Sequence, residues 1–113
     1  MKQKFAKNMH IINSLVSFCH YAGASDYSIR IKHEKGLAAF SIAAKIQGMD
    51  QHLLQKLRQA LELKRCQEVE QNYWELGGEA DPQDELTLIG MMLDEAAAQY
   101  KEDTLEITAT RIE

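Results

Sequence analysis

The stretch DYSIRIKHEKGLAAFSIAAKI, residues 26–46, leaves this chain the fewest options. Tyr27, Ile29 and Ile31 alternate with Ser28, Arg30 and Lys32. After the turn EKG, Ala38, Phe40, Ile42, Ala44 and Ile46 alternate with Ala39, Ser41, Ala43 and Lys45. Period-two alternation on both sides of a glycine-containing turn predicts a β-hairpin. One side of each strand is apolar and the other mixed, which predicts an antiparallel sheet covered on one face only.

The cover is predicted just upstream. From Gln3 to Tyr21, Phe5, Met9, Ile11, Ile12, Leu15, Val16, Phe18 and Cys19 fill one half of a helical wheel. Only Asn8 interrupts that half. His10, Asn13, Ser14, Ser17 and His20 occupy the other half, which reads as a solvated face. The two histidines are ten residues apart, about 15 Å along a helix, too far to share a metal. Gly23 is placed to stop the helix.

Downstream, Asp50 is a cap for a helix with Leu53, Leu54, Leu57, Ala60 and Leu61 as its stripe. The stripe then moves to Cys66, Val69, Tyr73 and Leu76, which implies a kink or two separate helices over residues 50–77. Gly77 and Gly78 end this region. Asp81 and Pro82 are a cap and a first helical position for a last helix reaching about Gln99. Its inner stripe is Leu86, Ile89, Met92, Leu93, Ala96, Ala97 and Tyr100. Leu105, Ile107 and Ala109 alternate with Glu106, Thr108 and Thr110 as a third strand. The expected fold is a single domain over residues 1–113. It is an α+β two-layer sandwich, with a small antiparallel sheet of about three strands and helices on one face, in the order α-β-β-α-α-β.

At 113 residues, 45% hydrophobic and 27% charged, the chain can bury a core without metals or disulfides. Cys19 and Cys66 belong to no metal-spaced cluster and read as reduced thiols of a cytoplasmic protein. No apolar run is long enough to span a membrane. Residues 1–65 carry eleven Lys and Arg against four Asp and Glu; residues 66–113 carry two against thirteen. The two halves are therefore suited to face each other, within one fold or between copies. The overall acidity and scattered basic residues argue against a nucleic-acid partner.

No nucleophile elbow, P-loop or dinucleotide fingerprint is present. ELGGEAD is no phosphate cradle, because Glu75, Glu79, Asp81 and Asp84 surround it and repel anions. Leu88 and Met91 fall on the side of the last helix opposite its inner stripe, beside Asp84 and Glu95. With Trp74 they are the candidate partner interface. The expected function is a non-catalytic regulatory or protein-interaction module, acting as a homodimer or with a protein partner, with no cofactor and no metal.

The order of a helix, a hairpin, helices and a strand resembles the histidine-kinase-type (GHKL) ATPase fold, shared with gyrase-type and chaperone ATPases. HYAGASDYSIRIK looks like the end of that family's first site helix running into its strand. ELTLIGMMLDEAAAQYKEDTLEITATRI looks like its helix and final strand, where the family has GLGL. So aligned, Asn13 stands in place of the family's acidic residue and Ser17 in place of its magnesium-binding Asn. Lys45 replaces the Asp of D-x-G-x-G; Gly48 and Gly90 are the glycines kept. The resemblance implies a degenerate scaffold that lacks the nucleotide-binding residues. Two alternatives stay open. One is residual adenine-nucleotide binding through Asn13, Ser17, Gly48, Gly77 and Gly78. The other is a small-ligand sensor, with a pocket between the second helix and the sheet near Tyr73 and Trp74.

Overall fold

A computed structural model describes residues 2–113, apart from the side chains of residues 2, 3, 82 and 83. The elements are α1 (Lys2–Tyr21), β1 (Asp26–Glu34), β2 (Leu37–Lys45), α2 (Gln51–Leu61), α3 (Gln67–Glu75), α4 (Pro82–Gly90), β3 (Glu95–Lys101) and β4 (Thr104–Ile112). The strands form one open antiparallel sheet in the order β1-β2-β4-β3. The helices cover one face.

Local signals set most of these boundaries. α1 ends in a Schellman turn: Gly23 has φ +103°, its N–H bonds the His20 carbonyl, and the Ala24 N–H bonds that of Cys19. Lys35 and Gly36, both with positive φ, close the β1–β2 hairpin as a two-residue turn. The Asp50 carboxylate caps α2 by accepting the His52 N–H at 2.7 Å. Asp81 occupies the cap position of α4, but its side chain makes no capping bond.

Two expectations need correction. The sheet has four strands, not three, and the order is α-β-β-α-α-α-β-β. The last helix stops at Gly90, and residues 95–101, expected to continue it, form β3. Alanine-rich EAAAQY favours a helix locally, yet Ala96, Ala98 and Tyr100 also alternate. As a strand, this segment pairs seven residues with β4 and covers its free edge. The turn joining them is Glu102-Asp103, both with positive φ and neither of them glycine. Asp103 is held by a bond from the Ile46 N–H to its carbonyl. The Gly48 N–H reaches its carboxylate. Residues 50–77 form two helices, α2 and α3, rather than one kinked helix.

The core lies between the inner sheet face and the helices. Ala38, Phe40, Ile42, Ala44, Leu105, Ile107 and Ala109 of the central strands meet Ile11, Leu15, Leu54, Leu57 and Ile89 of the helices. Burial of each Leu, Ile or Phe among them contributes roughly 1.5–3 kcal/mol.

Candidate functional site

The polar side of α1 does not face solvent throughout. His10 and Ser14, one turn apart, are met by Tyr73 of α3 and Glu85 of α4. Tyr73, only 2% exposed, donates its hydroxyl hydrogen to Glu85 Oε1 at 2.7 Å. Ser14 donates to the same oxygen at 2.8 Å. His10 Nε2 lies 2.6 Å from the Tyr73 oxygen, and with its hydrogen on Nε2 it donates there. Burial and the Glu85 carboxylate push the Tyr73 hydroxyl well above its ordinary value, so it stays protonated as a donor.

Aromatic edges close the cluster. The Trp74 ring meets those of Tyr73 and His10 edge-on, with centroids 4.9 and 5.4 Å away. Lys7 Nζ sits 5.6 Å over the indole. A Cβ at Gly78 would stand 3.3 Å from both His10 and Trp74, so this glycine admits a close contact rather than a ligand. The arrangement clamps α1 to α3 and α4.

A second network ties the ends of the chain together. Arg111, 4% exposed, projects from the inner face of β4. It donates to Asn8 Oδ1 at 2.9 Å and to the Met92 carbonyl at 2.6 Å. Both its terminal nitrogens reach Glu70, each at 3.2 Å. Arg65 grips the other side of that carboxylate at 3.1 and 3.3 Å, and also holds Asp94 at 2.8 Å. Burial disfavours the charged form of Glu70, but the hydrogen bonds and charges of Arg111 and Arg65 together outweigh it and hold the carboxyl below its usual range. Two guanidinium groups and two carboxylates balance in charge, as a partly buried network requires. Asn8 is thereby explained: the one interruption in the apolar half of α1 is the partner of the one arginine in the apolar alternation of β4. Those two misplaced polar residues were the sequence signal for the network, and sequence reasoning missed their pairing.

The residues singled out from sequence do not converge on one site. Leu88 and Met91 are half-buried, and Leu88 packs against the core beside α3. Asn13 is exposed, whereas Ser17, one turn on, lines a groove of about 490 Å³ between α1, α2 and α4, with Phe18, Leu53 and Lys56. Tyr73 and Trp74 pack on α1 rather than between α2 and the sheet. Gly77, at φ +80°, forms the turn after α3. Glu79, Asp81 and Asp84, with Glu68, rim a different groove of about 530 Å³ between α3 and α4, floored by Val69, Tyr73 and Leu88. Leu76 is 64% exposed at its mouth. Among the described residues, no three His, Cys, Asp or Glu side chains come together as a metal site requires. Among the described residues, no helix is long and apolar enough to cross a membrane. No protein-family model and no curated protein matches this chain.

Proposed function

We propose that this protein is a non-catalytic, cytoplasmic regulatory or protein-interaction module on a degenerate ATPase-like scaffold, acting as a homodimer or with a protein partner. The observation that carries the reading is the groove between α3 and α4. Its floor is apolar, Leu76 stands open to solvent at its mouth, and four carboxylates rim it. That combination suits an amphipathic segment with apolar anchors and flanking Lys or Arg. The polar cluster beside it, of which Tyr73 alone lines the groove, supports a binding role over a chemical one. Tyr73, Glu85, Ser14 and His10 bond one another, and the Tyr73 hydroxyl is held protonated. Two free thiols, Cys19 and Cys66, agree with a reducing compartment.

The test is to titrate a designed Leu/Lys amphipathic peptide into isotope-labelled protein and follow amide shifts. Shifts centred on Val69, Leu76 and Leu88 that vanish in Leu76→Glu support the reading. Shifts elsewhere, or none at millimolar peptide, refute it. A second reading, residual adenine-nucleotide binding, draws on the α1–α2–α4 groove, where Ser17 and Lys56 line a space of about 490 Å³. Titration with ADP and magnesium separates the two, because perturbations would then centre on Ser17, Phe18 and Lys56.

A further inference from the structure

The sheet face turned away from the helices is bare, and its charges are arranged in rows. Strand register aligns Lys32, Ala39, Thr110 and Glu95 across the four strands. It likewise aligns Asp26, Lys45, Thr104 and Lys101. Each row therefore has opposite charges at its two ends, on β1 and on β3. Between them Ala39, Ser41, Ala97, Thr108 and Thr110 line a shallow trough of about 390 Å³, and Lys45 and Glu106 of the central strands stand exposed beside it. At one end Leu37 and Ile112, cross-strand neighbours, are 40% and 62% exposed.

We infer that this bare face joins two copies of the chain through a two-fold axis parallel to the strands, lying between β2 and β4. The inference rests on the homodimer reading and names the surface, which the α3–α4 groove does not share. Such an axis lays β1 of one copy over β3 of the other. Lys32, which pairs with Glu34 of its own strand at 3.7 Å, then also meets Glu95 of the second copy, and Asp26 meets its Lys101. Each of these pairs occurs twice. Leu37 and Ile112 stack on Ile112 and Leu37 of the second copy, so two exposed apolar residues per chain become one small core. A two-fold axis across the strands would instead stack β1 on β1 and set Arg30 against its own copy. Ala39, Ser41, Thr108 and Thr110 admit a sheet at the ordinary spacing of about 10 Å, the charged pairs of β1 and β3 meet at the rim, and Glu106 of the central strands lies diagonally across from Lys45 of the second copy. Four strands about 4.8 Å apart and about 26 Å long give about 500 Å² per copy. The pair thus covers about 1,000 Å², at the lower limit for specific association, so the dimer is a reversible one. A self-complementary patch of this kind is what a closed two-fold dimer needs.

Sedimentation equilibrium from low to high micromolar protein tests the arrangement. Lys32→Glu and Glu95→Lys both change exposed side chains, and circular dichroism checks that each variant folds. Each single reversal places like charges in contact twice per dimer and should raise the dissociation constant roughly tenfold or more. The double variant restores the pairing and should recover the wild-type dimer. Dimerisation unchanged by the single reversals, or a double variant that stays monomeric, overturns this face while leaving the homodimer reading intact. A wild-type chain that is monomeric throughout overturns both.

Discussion

Replacing Gly90 by alanine sets two effects of opposite sign against each other. Gly90 is the last residue of α4 and its φ is not positive, so local propensity alone favours alanine by about 1 kcal/mol. Packing opposes it. A Cβ at residue 90 would stand 2.0 Å from the Ala60 carbonyl oxygen and 2.7 Å from its carbon. Ordinary contact begins at 3.4 Å, so α2 and α4 would have to separate by about 1.4 Å. The atoms in the way are backbone, so no rotamer change relieves the clash. Moving α2 lifts Leu54, Leu57 and Leu61 from the core. Overpacking of this severity costs about 3 kcal/mol, which leaves a net loss of about 2 kcal/mol. For a domain of this size that lowers Tm by roughly 8 °C. Urea unfolding followed by far-ultraviolet circular dichroism measures the difference. Adding Ala60→Gly should rescue nothing, because the obstructing atoms belong to the main chain. A Gly90→Ala protein as stable as wild type would refute the reasoning.

Arg111→Met removes the bonds to Asn8, Glu70 and Met92 together and should cost about 3 kcal/mol in urea unfolding. Glu70 is held below its usual value of 4.5, so its stabilisation is complete above that pH and is lost as pH falls toward its folded value. Glu70→Gln should accordingly flatten the acid limb of a stability profile measured below about pH 5. Glu102 has φ +53°, and its side chain makes no hydrogen bond among the described residues. Glu102→Gly should therefore raise stability by about 0.5 kcal/mol, read as a higher urea midpoint. Cys19 is buried and its thiol is pushed up to about 11 by that burial. A thiol reagent at neutral pH should leave it unmodified in the native protein and label it in urea, as mass spectrometry of the peptides would show.

The local rules held wherever one segment could satisfy itself. The β1–β2 hairpin, the length of α1, the Asp50 cap and the Gly23 stop were legible because alternation, amphipathic period, capping side chain and positive-φ glycine are each encoded within a few residues. The last strand was legible for the same reason. Residues 95–101 were not. Their alanines suit a helix, and only the unpaired edge of β4, supplied by residues 104–112, makes the strand the better solution. The polar stripe of α1 was read as solvated, which holds for Asn13, Ser17 and His20 but not for His10 and Ser14. Their partners, Tyr73 and Glu85, lie 63 and 71 residues from His10 and Ser14. Asn8 and Arg111, 103 residues apart, could be flagged as polar residues in apolar positions, but only the fold brings them together.

The sequence by itself determined the α+β class, the one-sided sheet and the helix that covers it, since these follow from the spacing of apolar side chains along the chain. The tertiary structure decided the fourth strand, the division between α2 and α3, and the two polar networks. It also decided the close approach that forbids a side chain at Gly90. Each of these depends on which distant surface a segment meets, a quantity no local pattern carries.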